Sequence, residues 1–522
     1  MSAPILLISV QQTLDVIGLK YVHYSLIENS YDSMLLFISA ARPTGDDLEE
    51  IGAFVRRLSP RLIGLSLVTI DTIRARIITS YLKEHFNDIP VIWGGYHPTV
   101  QPGQCLEYAD YVCIGEAEKV IVDIARAMDL NKPLRDINGL CYKENNRVKK
   151  NPIYPLEENI DSTCLHDHIP RNSYILHAGK VVPLTIKLFR KHDRFGGKIL
   201  YIMSSRGCPL ACTYCCNSFF SRLYNSNRVR RRSVTNILAE IEKALHHHPE
   251  IEYIDFLDDC FMAADRDYID KFCTRYKEKI DKPFISKITP TFVTRERISA
   301  LKTAGLAWVG LGLQSGSDRI NREIYHRNSL STDFLEAARI CHEFKIAVYY
   351  DIILDNPYET ETEKLQTIRI LMAAPKPCLA KFYSLTYYPG SELYERIKID
   401  MPDKVAGEDV LTKDHILYNQ ERPNDMIRLA AYLHPRLMLF IVHLYKHHPG
   451  SFTLTAVITM AKLLCAALFE PWNFFQSIKL SQSGSYLKTI TVIPIYLQEG
   501  IRNYFNQFTV LRSKVTYSSD RK

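Results

Sequence analysis

Ser205-Arg206-Gly207-Cys208-Pro209-Leu210-Ala211-Cys212-Thr213-Tyr214-Cys215-Cys216-Asn217 holds four of the chain's thirteen cysteines. Cys208, Cys212 and Cys215 follow a C-x3-C-x2-C spacing. Three thiolates on one tight loop can hold three irons of a [4Fe–4S] cube and leave the fourth open. A structural zinc site of four thiolates usually combines two separated cysteine knuckles, and this chain has one cluster without a second. Cys216, next to Cys215, is expected to point elsewhere and is left out of the ligand set. The apolar run Ile199–Ser204 leads into the loop and a helical pattern leaves it, which makes the loop a strand-to-helix connection of an α/β fold.

The α/β rhythm continues downstream. Ser233 is a good N-cap for a helix over Val234–His247. "IEYIDFLDDCF" gives a strand ending at Asp258-Asp259, and "WVGLGLQSGS" one ending at Gln314-Ser315. "KITPTFV", "AVYYDIILDNPYET" and "CLAKFYSLTYYPGSELYE" complete six βα units between residues 196 and 400. Upstream, strand candidates at Ile5–Ser9, Met34–Ser39, Leu62–Leu67, Val91–Trp93 and Tyr111–Ile114 alternate with amphipathic helices. Five such units predict a doubly wound parallel sheet over residues 1–150, in flavodoxin-like order. Ligands bind such sheets beyond the carboxyl ends of the strands. The loops there are Ser66-Leu67-Val68-Thr69, Gly94-Gly95-Tyr96-His97-Pro98-Thr99 and Gly115-Glu116-Ala117-Glu118.

The cysteine spacing, with Tyr214 just before the last ligand, resembles the signature loop of the radical S-adenosylmethionine (SAM) enzymes. "WGGYHPT" followed by "ADYVCIGEAE" resembles the cobalamin (B12)-binding domain that precedes many radical SAM domains. The resemblance implies a flavodoxin-like (Rossmann-type) cobalamin-binding domain, then a partial (β/α)6 radical SAM barrel with catalytic groups at the carboxyl ends of its strands. It implies that Cys208, Cys212 and Cys215 hold the cluster and that SAM chelates its open iron. SAM is then split to a 5′-deoxyadenosyl radical. By position, Tyr214 should lie near the adenine, and Asp258 or Asp259 should take the SAM amino group. Gln314 and Ser315 should face the ribose or methionine moiety, and Arg327 the SAM carboxylate. Ser66, Thr69, Gly94, Gly95, His97, Gly115 and Glu116 are the expected cobalamin contacts. Cobalt-ligating relatives carry D-x-H-x-x-G after the first strand. Here Asp15 is followed two residues on by Ile17, and Lys20 stands where the glycine would be, so no histidine of that loop is placed to bind cobalt.

The function implied is methylation of an unactivated carbon by a cobalamin-dependent radical SAM enzyme. A radical rearrangement or cyclisation without methyl transfer is one alternative, and a non-catalytic iron–sulfur or electron-transfer protein is another. The partners implied are a small-molecule or lipid-like substrate and an electron donor such as flavodoxin or ferredoxin.

With 522 residues, 46% apolar and 24% charged, the chain is long enough for two or three domains. A formal charge of +7 is too diffuse to argue for nucleic acid, and none is expected as a partner. The start of the chain has no basic n-region and reads as a buried strand. An odd number of scattered cysteines suggests a reducing compartment, hence a cytoplasmic protein. Residues 151–195 are rich in proline and read as an irregular linker. Residues 401–522 read as a helical, strongly apolar region. Its run Phe452–Phe469 is broken only by Lys462, which predicts a helical bundle with possible peripheral membrane contact.

Overall fold

The computed structural model describes residues 3–40, 42–162, 166–405, 411, 413 and 416–481. Of the cysteines, Cys164 lies outside the described residues, as does the part of the C-terminal region beyond residue 481.

The strands are, in chain order, β1 (Ile5–Ser9), β2 (Ser33–Phe37), β3 (Leu62–Ser66), β4 (Val91–Gly94), β5 (Tyr111–Cys113), β6 (Leu140–Glu144), β7 (Arg147–Lys150), β8 (Ser173–His177) and β9 (Lys180–Pro183). They form one sheet in the order β7-β6-β5-β4-β3-β1-β2-β8-β9. Its central part, β5-β4-β3-β1-β2, is parallel and has the flavodoxin-like order. All five residues of β1 are buried, as expected for a strand covered by helices on both faces. One apolar layer contains Leu6, Ile8, Ile63, Val91 and Trp93; the other contains Leu7, Leu35, Phe37 and Ile92. The helix Gly45–Leu58 is started by a capping box, in which Thr44 Oγ1 accepts from Asp47 N–H and the Asp47 carboxylate accepts from Thr44 N–H.

Two additions lengthen the sheet. The hairpin β6–β7 pairs antiparallel with β5. Residues 173–183, read from the sequence as irregular linker, instead form β8 and β9, with β8 parallel to β2. Pro183 ends β9 at the sheet edge, where the missing N–H is tolerated.

The remaining strands are β10 (Ile199–Ile202), β11 (Ser205–Arg206), β12 (Arg230–Arg231), β13 (Tyr253–Phe256), β14 (Phe284–Ile288), β15 (Leu306–Gln314), β16 (Ala347–Leu354) and β17 (Leu379–Ser384). The second large sheet runs in chain order, β10-β13-β14-β15-β16-β17, with β14 to β17 parallel, and helices separate its strands. This is the partial (β/α)6 barrel. The short strands β11 and β12 form an antiparallel ribbon that frames the cysteine loop. After the barrel come the helices Arg422–Tyr432, Pro435–His447, Phe452–Leu464 and Glu470–Ser481.

By packing, the chain divides into two units. The first comprises residues 1–251, 256–259 and 386–413, and the second residues 252–255, 260–385 and 414–522. The cysteine loop therefore belongs with the N-terminal sheet, whereas the sequence rhythm groups it with the later strands.

Candidate functional site

Within the first unit a cavity of about 440 Å³ opens against the carboxyl ends of β3, β4 and β5. Its floor is a slot between the sheet and two helices. Leu7, Gly64, Ile92 and Cys113 supply the strand side, and residues of the helices Ile17–Glu28 and Glu118–Asp129 supply the other. Small residues keep this slot open. A Cβ at Gly64 would lie 2.9 Å from Leu7 Cδ2, and a Cβ at Gly18 would meet nothing within 4 Å. The cavity's mouth is lined by Ser66, Gly94, Gly95, Gly115 and Glu116 on one side, and by Ser205–Cys208, Cys216, Asn217 and Asp259 on the other. Five of the seven expected cobalamin contacts thus meet the cysteine loop on one cavity.

Thr69 and His97 do not line it. Thr69 sits in a buried 3-10 turn, where its carbonyl accepts from the Thr72 hydroxyl. His97 is fully buried, with Nε2 3.1 Å from Gln104 Oε1, and burial lowers its pKa to about 4. Glycine is required at 95: its φ is +100°, and a Cβ would meet Leu67 O at 2.6 Å.

The cysteine loop runs from β11 to the helix Cys216–Leu223. Gly207 adopts φ +92°, which lets the chain turn sharply before Cys208. None of the described cysteines is in a disulfide; Cys212 is buried, Cys208 and Cys215 are half-buried, and Cys216 is exposed. The neighbouring Cys216 thiol is the largest cause that lowers the pKa of Cys215. Tyr214 is half-buried and does not line the cavity.

Asp258 and Asp259 separate into two roles. Asp258 is buried and accepts from the backbone N–H of Ser204 (2.6 Å) and Ser205 (3.1 Å) and from both serine hydroxyls. It braces the strand end that feeds the cysteine loop. Burial nonetheless raises its pKa, because the four donors offset desolvation only in part. Asp259 is exposed on the cavity and accepts from Gly207 N–H at 3.3 Å.

A set of ion pairs joins the two sides of the mouth. Arg206, two residues before Cys208, pairs with Glu118 at 2.6 Å and Glu116 at 3.3 Å. Arg230, across the ribbon on β12, pairs with the same Glu116 carboxylate. Burial pushes the Glu116 carboxyl up, but Arg230 and Arg206 more than offset this and hold it below its usual range. Arg206 also lies 5.0 Å over the Tyr21 ring. Glu116 N–H donates to Tyr224 Oη at 2.9 Å, and a Cβ at Gly115 would fall 1.9 Å from that oxygen. Glycine is therefore mandatory at 115, where φ is also +80°.

In the second unit, Gln314 ends β15 with φ +64°. Gln314 and Arg327 converge over Gly312: a Cβ there would lie 2.6 Å from Gln314 Nε2 and 2.9 Å from Arg327 Nη2. Arg327 is buried and donates to Gly312 O at 3.1 Å. Ser315 is buried, donating to Glu359 at 2.6 Å and accepting from Ser317 N–H at 3.1 Å. Its hydroxyl is thus engaged within the protein.

The radical SAM superfamily model matches residues 202–371, and the B12 binding domain model matches residues 3–125. The chain is a radical SAM protein with an N-terminal B12-binding domain. Over 443 residues it is 26% identical to an uncharacterized methyltransferase of Pyrococcus horikoshii, PH0819, covering 83% of this chain and 90% of that one. Its fold is similar to the radical SAM methyltransferase TsrM of Kitasatospora setae, solved with cobalamin and a [4Fe–4S] cluster: TM-score 0.65, 15% identity, 96% of this chain and 100% of that one. It is also similar to the cobalamin-dependent radical SAM enzyme OxsB, solved with aqua-cobalamin and SAM: TM-score 0.66, 14% identity, 97% and 81%.

The donor set of this radical SAM protein fits the cofactors of its two domains. Three cysteines on one loop suit three irons, and the glycine-lined slot is a cradle that side chains at 18 or 64 would fill. The sequence reading missed Arg206 and Tyr224. The members of the basic run Arg228–Arg232 divide. Arg230 reaches the mouth, Arg228 is exposed against Glu158, and Arg232 is buried against Glu240. The segment "HDH" at 166–168 is structural. His166 faces Glu240 at 3.4 Å, and His168 Nε2 lies 3.1 Å from Gly197 O.

Proposed function

We propose that this protein is a cobalamin-dependent radical SAM methyltransferase that transfers a methyl group to an unactivated carbon of a small-molecule or lipid-like substrate. The observation that carries this reading is the shared cavity, with the glycine loops of the B12-binding sheet on one side and Ser205–Cys208 on the other. When bound, the cluster and SAM supply a hydrogen-abstracting radical and cobalamin supplies the methyl group.

The chain's own residues bind and orient. Cys208, Cys212 and Cys215 donate three thiolates and leave one iron for SAM. Asp259, exposed on the cavity, is the carboxylate assigned to the SAM amino group. Gln314 offers amide hydrogen bonds to the ribose or methionine moiety, and the Arg327 guanidinium is matched in charge and shape to a carboxylate. Tyr214 is assigned to the adenine. Gly94, Gly95, Gly115 and Ser66 let the backbone approach the corrin, while the apolar slot below excludes water from a nucleotide tail. An electron donor such as flavodoxin or ferredoxin and a cytoplasmic setting suit a cluster that must be reduced.

The test is anaerobic reconstitution of protein made in B12-replete cells, with dithionite and SAM. Copurifying cobalamin, 5′-deoxyadenosine and S-adenosylhomocysteine are the expected products and ligands. Cys212→Ala should abolish 5′-deoxyadenosine formation. Absence of bound cobalamin would sink the methyl-transfer reading, and absence of 5′-deoxyadenosine would sink any radical reading.

A further inference from the structure

The last described helices carry a surface that the proposed reaction does not use. Ten of the sixteen exposed large apolar side chains among the described residues lie between Leu437 and Phe475. One face of this arm packs on protein, with Leu454, Ile458, Ala461 and Cys465 at most 6% exposed. On the other face Met460, Leu464, Leu468 and Trp472 recur every four residues and are 42–61% exposed. That spacing is one stripe of a helical surface. Phe440 and Phe452 add further exposed rings, at 50% and 87%.

Charge on this arm is one-sided. Residues 435–481 hold four cations, Arg436, Lys446, Lys462 and Lys479, and one acid, Glu470. Glu470 is matched by Arg428 at 2.7 Å and Lys462 by Asp425 at 2.7 Å. Arg436, Lys446 and Lys479 are exposed, with no acid left among these helices to balance them. Exposed aromatic and aliphatic residues beside lysines and arginines are the composition of a helix that lies in the headgroup region of an anionic bilayer.

The stretch Phe452–Ser481 is 30 residues long, with a mean hydropathy of 2.0 in its most apolar window, which is enough to cross a membrane. The ion pairs argue against crossing. Lys462 and Glu470 lie inside that stretch and bind Asp425 and Arg428 of the helix Arg422–Tyr432. Spanning would carry both pairs and that polar helix into hydrocarbon at high cost. Lying flat keeps the pairs on the protein side and turns the apolar stripe outward.

We propose that the outer face of the helices Pro435–His447, Phe452–Leu464 and Glu470–Ser481 docks in the plane of an anionic lipid bilayer. This stands apart from the methyl-transfer reading and is tested separately. Reconstituted full-length protein is floated with vesicles of phosphatidylcholine alone, or of phosphatidylcholine with one third phosphatidylglycerol. It should float with the anionic vesicles and much less with the neutral ones. Lys446→Gln and Lys479→Gln should each weaken binding about fivefold. Leu468→Glu with Trp472→Glu should weaken it by at least about tenfold, with circular dichroism and 5′-deoxyadenosine formation retained. A readout without substitution is also available, because Trp472 is exposed whereas Trp93 and Trp308 are buried. Brominated acyl chains should quench tryptophan emission of the unaltered protein. Three results would overturn the proposal: no flotation and no quenching, equal flotation of the glutamate variant, or a concentration-dependent dimer that the glutamate variant dissolves and vesicles do not.

Discussion

Replacing Glu116 by glutamine isolates the charge that holds the cavity mouth together. The substitution keeps the side-chain shape and the backbone N–H donated to Tyr224, and it removes the negative charge facing Arg206 and Arg230. The side chain of Arg230 is 5% exposed and that of Arg206 13%, so neither guanidinium is freely rehydrated. Each keeps one partner. Arg206 retains Glu118 at 2.6 Å, and Arg230 retains the carbonyl of Glu157 at 2.9 Å. The cost is therefore below the ~3–5 kcal/mol of a buried charge left alone and above the ~1 kcal/mol ceiling of an exposed pair, or about 2–3 kcal/mol. The assay is hydrogen exchange of the backbone amides of β11 and β12, which reports local opening of that ribbon. Glu116→Gln should speed their exchange roughly 30- to 150-fold at pH 7. The sign of the pH dependence follows from the lowered pKa of Glu116. A carboxylate with a depressed folded pKa contributes stability that is fully present above its unfolded pKa and is lost as pH falls through the folded pKa. The gap between wild type and variant should therefore hold constant from pH 8 to 5 and close below that. Exchange rates within threefold of each other at pH 7 would refute the clamp.

Three other outcomes follow from the same geometry. Gly115→Ala places a Cβ 1.9 Å from Tyr224 Oη at a φ of +80°; corrin absorbance of the purified variant should fall at least tenfold, whereas Gly179→Ala, whose Cβ meets nothing within 4 Å, should leave it unchanged. Asp258→Asn turns two acceptor oxygens into one acceptor and one donor facing Ser204 and Ser205; a loss of about 1–3 kcal/mol is expected, read as lower thermal stability together with lower iron content per chain. His23, His97 and His168 are held by burial at about 4, 4 and 3. A lowered histidine pKa means that the unfolded chain binds the extra proton first, so stability should drop as pH falls below about 6.5. The slope approaches roughly 4 kcal/mol per pH unit for three sites, and a flat stability profile from pH 6 to 5 would count against the burial of these rings.

Much of this was legible in the sequence where a periodic or local signal exists. Short apolar runs spaced by helices specified the parallel sheet, and three cysteines on one loop marked the candidate cluster site. What escaped notice lacks such a signal. The pairs Arg206–Glu116 and Arg230–Glu116 join residues about a hundred positions apart, and a charge in a sequence does not name its partner. Asp258 and Asp259 illustrate a second limit. Adjacent residues at a strand end point to opposite sides, so composition could not say which carboxylate turns inward to the serines and which faces the cavity. For β8 and β9 the flanking prolines read as breakers, and only the free edge of β2 made strands of them. The burial of His97 was unreadable for a related reason: a histidine after a Gly-Gly turn carries no local sign that packing will draw it inward.

Arg206 is where these threads meet. It lies on β11, one residue before the Gly207 turn and two before Cys208, so its backbone helps set where the first cluster ligand stands. Its guanidinium is fixed entirely from the other side of the cavity, by Glu116, Glu118 and the ring of Tyr21. Any ligand that shifts the Gly115–Glu118 loop must therefore strain or release these contacts, and the strain falls on the segment that carries Cys208. Coupling of this kind is reciprocal in free energy: whatever the cluster does to the loop, occupancy of the loop does to the cluster site by the same factor. The glycine loop and the cysteine loop are thereby tied together, through Arg206 and also through Arg230, which shares the Glu116 carboxylate.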